Sequence, residues 1–106
     1  MSVVFINLFE VTAGRDGTFR GMWQQVNDYM RTQPGYQAHR LHRAVGDDAR
    51  YRYANVAIWE SPEAWHAAHD EDLWKLVAQP EWREFPNTPA LYEVVHTGDQ
   101  AAPALA

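Results

Sequence analysis

Residues 3–11 read Val-Val-Phe-Ile-Asn-Leu-Phe-Glu-Val, a strand-like run that is apolar on both faces except for one central amide. Strand side chains alternate sides, so Asn7 shares a face with Phe5 and Phe9 while Ile6 and Leu8 take the other. Ala13-Gly14-Arg15-Asp16-Gly17 is turn chemistry that ends the run. Over residues 18–33 the period changes. Phe19, Met22, Trp23, Val26, Tyr29 and Met30 recur every three or four positions among Arg20, Gln24, Gln25, Asn27, Asp28 and Arg31, which predicts an amphipathic helix stopped by Pro34-Gly35. A more polar strand over 36–45 sets Tyr36, Ala38, Arg40 and His42 against Gln37, His39, Leu41 and Arg43, and Gly46-Asp47-Asp48-Ala49 forms a short hairpin connection.

The third strand, 51–59, carries Tyr51, Tyr53, Asn55, Ala57 and Trp59 on one face and Arg52, Ala54, Val56 and Ile58 on the other. It runs into a helix start in which Ser61 caps, Pro62 suits the first position and Glu63 favours the positive end. Trp65, Ala68, His69, Leu73, Leu76 and Val77 gather on that helix's inner face, with a kink or restart at Asp70-Glu71-Asp72 and a stop at Pro80. One further turn covers Glu81-Trp82-Arg83-Glu84-Phe85, a loop covers 86–89, and a last strand covers 90–97. The order β-α-β-β-α-β predicts an α+β, ferredoxin-like fold: a four-stranded antiparallel sheet with both helices on one face. Residues 1–97 form a single domain in this reading, and 98–106 a tail without periodicity. The uncovered sheet face, with Val4, Ile6, Leu8, Val56 and Ile58, predicts a homodimer packed sheet to sheet.

Composition narrows the function classes. A net charge of -5 argues against nucleic acid, and the absence of cysteine removes disulfides, thiolate metal sites and thiol nucleophiles. No apolar run approaches the roughly 18 residues of a membrane span, and the N-terminus lacks the basic stretch of a signal peptide, so a cytoplasmic location is expected. Five Trp, five Tyr and four Phe supply enough rings to line a cavity. Two amides on neighbouring central strands, Asn7 and Asn55, are a costly pair for a plain core. His69 shares a face with Trp65 and is the best available base, since imidazole titrates near neutrality. The other histidines show no ligand spacing, and no phosphate loop or Ser-His-Asp arrangement occurs.

Asn55-Val56-Ala57-Ile58-Trp59-Glu60-Ser61-Pro62-Glu63-Ala64-Trp65, taken with the first strand and Gln33-Pro34-Gly35-Tyr36, resembles the antibiotic biosynthesis monooxygenase family of dimeric α+β barrels. The resemblance implies a pocket wall of Asn55 and Trp59, with Trp65 at a helix position where the cofactor-free oxygenases usually carry Tyr. An indole donates a hydrogen bond but cannot exchange a proton as a phenol does. Asn7 also matches the haem-degrading branch, but that branch's Trp and His fall on Ala68 and Val77, or on Leu76 and Pro86, and do not carry over. The expected function is a monooxygenase without flavin or metal that oxidises a small or polycyclic phenol or anthrone with molecular oxygen. Asn55, Trp59, Asn7 and His69 are its candidate catalytic residues, and Trp65, Phe5, Phe9, Trp23 and Tyr53 its substrate slot. The alternatives are a haem-binding or haem-degrading relative, a non-oxidative cyclase or isomerase, and a ligand-binding protein.

Overall fold

The structure, a computed structural model, describes residues 2–101. Four strands, β1 (Val3–Phe9), β2 (Tyr36–Arg43), β3 (Tyr53–Trp59) and β4 (Asn87–Tyr92), form one antiparallel sheet in the order β2-β3-β1-β4. Helix α1 (Asp16–Met30) joins β1 to β2, and α2 (Pro62–Ala67), α3 (Glu71–Val77) and a 3₁₀ turn (Pro80–Glu84) join β3 to β4. This is the ferredoxin-like arrangement, with β1 and β3 central.

Cross-strand register sorts the side chains into rows. On the helix-covered face run Val3–Trp59–Tyr36, then Leu91–Phe5–Ala57–His39, then Pro89–Asn7–Asn55–Leu41, then Asn87–Phe9–Tyr53–Arg43. The opposite face carries Tyr92–Val4–Ile58–Ala38, Ala90–Ile6–Val56–Arg40 and Thr88–Leu8–Ala54–His42, apolar along its centre. Val4, Ile6 and Leu8 are only half-buried, and Ile58 and Tyr92 are exposed.

Three elements differ from the expectations drawn from sequence. Strand β4 starts at Asn87 and ends at Tyr92, so the expected loop at 86–89 is largely strand and residues 93–97 are not. Pro89 obscured this, because proline cannot donate to a ladder; β4 is an edge strand, where that loss is tolerated. The β2–β3 connection spans nine residues, 44–52, closed at its base by Ala44 N–H donating to the Arg52 carbonyl at 2.8 Å. In β2 the alternation slips at a bulge between Tyr36 and Ala38, which moves Tyr36 to the His39 side of the sheet. Residues 98–101 of the expected tail have no regular structure, and 102–106 lie outside the described residues.

The second helix does restart where the acidic run suggested. Ser61 Oγ accepts the Ala64 N–H at 3.1 Å to cap α2, and Asp70 accepts the Leu73 N–H at 2.9 Å to cap α3. Helices of six and seven residues are too short to stand alone, so these caps and tertiary packing hold them. Asp70 also accepts the Tyr29 O–H from α1 at 2.5 Å, which ties the restart of α3 to the neighbouring helix. That carboxylate raises the Tyr29 phenol to about 12.

Two buried clusters flank the centre of the sheet. Val3, Met30, Ala57, Trp59, Ala68 and Leu73 form one; Phe9, Val11, Phe19, Trp23, Tyr53 and Phe85 form the other. The Asn7–Asn55 row lies between them.

Candidate functional site

A cavity of about 460 Å³ sits over that row, between sheet and helices. Phe5, Asn7, Asn55, Ala57 and Trp59 line it from β1 and β3, and Trp23, Val26, Asn27 and Met30 from α1. Trp65, His69, Leu73, Trp74 and Val77 close the other side, with Trp82, Phe85, Asn87 and Pro89 at one end. The wall contains no Lys, Arg, Asp or Glu. Its ionisable side chains are His69 and Tyr36.

Asn7 and Asn55 are direct cross-strand partners, 8% and 4% exposed. Each has a buried Oδ1 with no hydrogen-bond partner among the described residues, and the buried indole N–H groups of Trp23 and Trp65 likewise have none. A buried polar group left unpaired costs about 1–3 kcal/mol. All four belong to residues that line this cavity, two acceptors and two donors, and a ligand that reached them with its own donors and acceptors would satisfy them.

Trp65 packs its ring 5.2 Å from that of Phe5, so it does lean back over the sheet from α2. His69 stacks 4.1 Å from Trp65 and its Nδ1 lies 2.7 Å from the Trp65 carbonyl oxygen. A carbonyl can only accept, so Nδ1 carries the proton, and in the neutral ring Nε2 holds the free lone pair.

Of the expected site residues, the structure gathers Asn7, Asn55, Trp59, His69, Trp65, Phe5, Phe9 and Trp23 around this cavity. Tyr53 is not among its lining. It lies one row beyond Asn55, 3% exposed, with its ring 4.7 Å from Phe19 and its O–H donating to Asp16 Oδ2 at 2.7 Å. It borders instead a separate surface groove of about 620 Å³ with Arg20 and Arg43. Of the four residues that carry unpaired polar atoms, only Trp23 borders that groove. Trp59 is 1% exposed and its ring meets Tyr36 edge-on at 5.5 Å. The indole N–H groups that are fully buried without a partner among the described residues are those of Trp23 and Trp65.

Asn27 escaped the sequence reading because amides were assigned to the outer face of α1. Its place four after Trp23 and three before Met30 was the available signal, since both are buried. Its Nδ2 donates to the Trp23 carbonyl at 3.0 Å, which satisfies it within the helix. Trp74, 56% exposed, lines the cavity from α3 and was not anticipated either.

Tyr53 anchors an ion pair that predicts acid behaviour. Arg52 Nε and Tyr53 O–H both donate to Asp16 at 2.7 Å, and these bonds, Arg52 first, lower the Asp16 carboxyl from 3.8 to about 2. A depressed carboxylate contributes stability above its unfolded value, and that contribution is lost as pH falls toward about 2. Asp16→Asn is therefore expected to flatten the decline of the thermal midpoint between pH 4 and pH 2, as calorimetry would show.

Fold and site together define an α+β, ferredoxin-like protein with a cavity rich in aromatic side chains between sheet and helices. The family description "Antibiotic biosynthesis monooxygenase" matches residues 2–80, and the chain belongs to that family. Among solved structures it is similar to a monooxygenase candidate from Shewanella loihica PV-4, at 31% identity over 91% of this chain and 96% of that one, with a TM-score of 0.79. SnoaB, a cofactor-independent oxygenase from Streptomyces nogalater, shares 23% identity over 91% and 95% of the two chains at a TM-score of 0.75. A haem-degrading protein from Mycobacterium tuberculosis shares 27% identity over 93% and 100%, at a TM-score of 0.65. No curated protein matches. Among the described residues no helix is long and apolar enough to cross a membrane, and no group of three or more His, Cys, Asp or Glu could hold a metal ion.

Proposed function

We propose that the protein is a cofactor-independent monooxygenase that oxidises a neutral polycyclic phenol or anthrone. The observation that carries this reading is the set of four residues with unpaired polar atoms on a wall that is otherwise mostly aromatic and aliphatic and free of Lys, Arg, Asp and Glu. The overall reaction converts a ring methylene and one O₂ into a carbonyl and water, and the electrons come from the deprotonated substrate itself. Asn7 and Asn55 would accept hydrogen bonds from substrate hydroxyls, and the Trp65 and Trp23 N–H groups would donate to oxygens on which charge develops. His69 Nε2 would take the hydrogen leaving carbon. Trp59, Phe5 and Phe9 would hold the ring plane and exclude water.

Haem fits this wall less well. His69 could offer Nε2 to iron, but haem carries two carboxylates and the cavity wall supplies no cation to meet them. The test is oxygen uptake by purified protein given anthrones and naphthols, without added flavin, metal or haem. Consumption with one carbonyl formed per O₂ is expected. No uptake with any such substrate, together with a haem Soret band that His69→Ala abolishes, would replace this reading with the haem one.

The apolar outer sheet face supports a homodimer, since rows containing Val4, Ile6, Ile58 and Val56 are expensive to leave in water. Sedimentation at twice the 12.2 kDa chain mass is expected, and Ile6→Asp should shift it to the monomer. A wild-type chain that sediments as a monomer at micromolar concentration would remove the prediction.

A further inference from the structure

His69 is not the cavity's sole connection to a titratable group. Tyr36 lines the cavity from the first position of β2, and its hydroxyl is hydrogen-bonded to Nδ1 of His39. His39 is not part of the cavity lining. It lies opposite Ala57, half-buried, with its ring edge-on to Trp23 at 5.1 Å, and it belongs to an edge strand of the sheet. Regular alternation would put residues three apart on opposite faces. The bulge between Tyr36 and Ala38 puts both on the helix-covered face, and bulges of this kind re-aim side chains beside functional sites.

We propose that Tyr36 and His39 form a proton relay from the cavity to the sheet edge, with Tyr36 touching the substrate hydroxyl and His39 receiving the proton behind it. As the substrate O–H bond breaks, its hydrogen bonds to the Tyr36 oxygen while the Tyr36 hydrogen passes to His39 Nδ1. The electron pair stays on the substrate as an oxyanion, and His39 becomes imidazolium. While the oxyanion remains bound and unreacted it holds His39 as imidazolium, and release of the Nε2 proton to water restores a neutral ring once the oxyanion is consumed. The need for such a step rests on the phenol-oxidising reading, in which an ionised substrate reduces oxygen. It complements His69, which is assigned the hydrogen leaving carbon.

The surroundings hold both groups in the required resting state. Burial lowers His39 from 6.5, and Arg31 lowers it further against a smaller opposing effect of Asp28. Burial raises Tyr36, with Arg31 opposing. From α1 the charged groups that act on the pair are thus Arg31 and Asp28, while β3 presents only Ala57 and Trp59. At neutral pH the pair is a neutral donor and a neutral acceptor.

The test needs no oxygen. A nitronaphthol with its nitro group on the ring away from the hydroxyl, protonated in neutral water and absorbing in the visible as its anion, is titrated into the protein under argon, with the His39 ring nitrogens followed by ¹⁵N NMR. The expected result is a bound naphtholate band and a His39 imidazolium signal that rise together, one per site. Tyr36→Phe, which keeps the ring against Trp59, should still bind the probe, more weakly for the lost hydrogen bond, but leave His39 neutral. His39→Gln should remove the naphtholate band at neutral pH while its melting curve stays cooperative. His69→Gln should leave the coupled signals in place. Binding with His39 neutral in wild type, or coupling that survives Tyr36→Phe, overturns the relay alone. If no naphthol binds, the aromatic-substrate reading fails and the relay falls with it.

Discussion

Asn55→Leu is expected to make the protein more stable and nearly inactive. Leucine keeps the branched shape of asparagine, the cavity beside it takes up its extra bulk, and it removes a buried amide oxygen that has no partner among the described residues. Relief of even about 1 kcal/mol of the desolvation cost raises the thermal midpoint by about 4–8 °C in a domain of this size. Catalysis should move the other way. The substrate hydroxyl that would donate to Asn55 loses its partner in a dry site, which costs about 1–3 kcal/mol, up to roughly 150-fold in kcat/KM. Asn7→Leu should do the same, because Asn7 faces Asn55 across the β1–β3 ladder. The double variant should lose little more activity than either single one, as groups that act on one substrate oxygen are not additive. Calorimetry and an oxygen electrode on the same samples decide the matter. A variant that loses stability along with activity would mean that the amides are structural, satisfied in solution by something other than substrate.

That opposition between stability and function is also why the two amides could be read from the sequence. Hydrophobic periodicity predicts cores, and an amide at the centre of Val-Val-Phe-Ile-Asn-Leu-Phe violates it. The ferredoxin-like order then placed β1 beside β3, and the register made Asn7 and Asn55 direct partners. Element types were legible for the same reason, since each strand and helix carries its own period. What the sequence hid was geometry that breaks a period. The bulge in β2 reverses the face of Tyr36, so a strict alternation separates it from His39. Pro89 inside an edge strand disguised the first half of β4 as loop and shifted the expected strand to 90–97. The third strand's face was also read as one wall, whereas the cavity ends between Asn55 and Tyr53, where Phe19 fills the space. Which of several rings on one face borders a void depends on packing from α1, and pattern alone does not encode it.

Gly35→Ala is expected to cost about 2–5 kcal/mol, from two sources that a second mutation separates. Gly35 has φ +87, a conformation that costs an L-residue about 1–2 kcal/mol. Its added Cβ would lie 2.4 Å from the Ala64 Cβ, and overpacking of that kind costs about 1–3 kcal/mol. Ala64→Gly removes the second source and leaves the first, so the double-mutant cycle should show a favourable coupling of about 1–3 kcal/mol. Gly21→Ala is the control. It sits inside α1 with no atom within 4 Å of a new Cβ, and should stabilise by about 0.5–1 kcal/mol. Urea unfolding of the four variants measures all of this, and a Gly35→Ala penalty that Ala64→Gly does not reduce would show that backbone strain acts alone. The clash also reaches the cavity. The Gly35 carbonyl accepts the Glu60 N–H at 2.7 Å, and Ala64 adjoins Trp65, so pushing α2 outward moves an indole donor off the wall. Gly35→Ala should therefore lower activity in protein that is still folded, and Ala64→Gly should restore part of it. The Pro34-Gly35 stop that ends α1 thus also sets how closely α2 approaches the sheet.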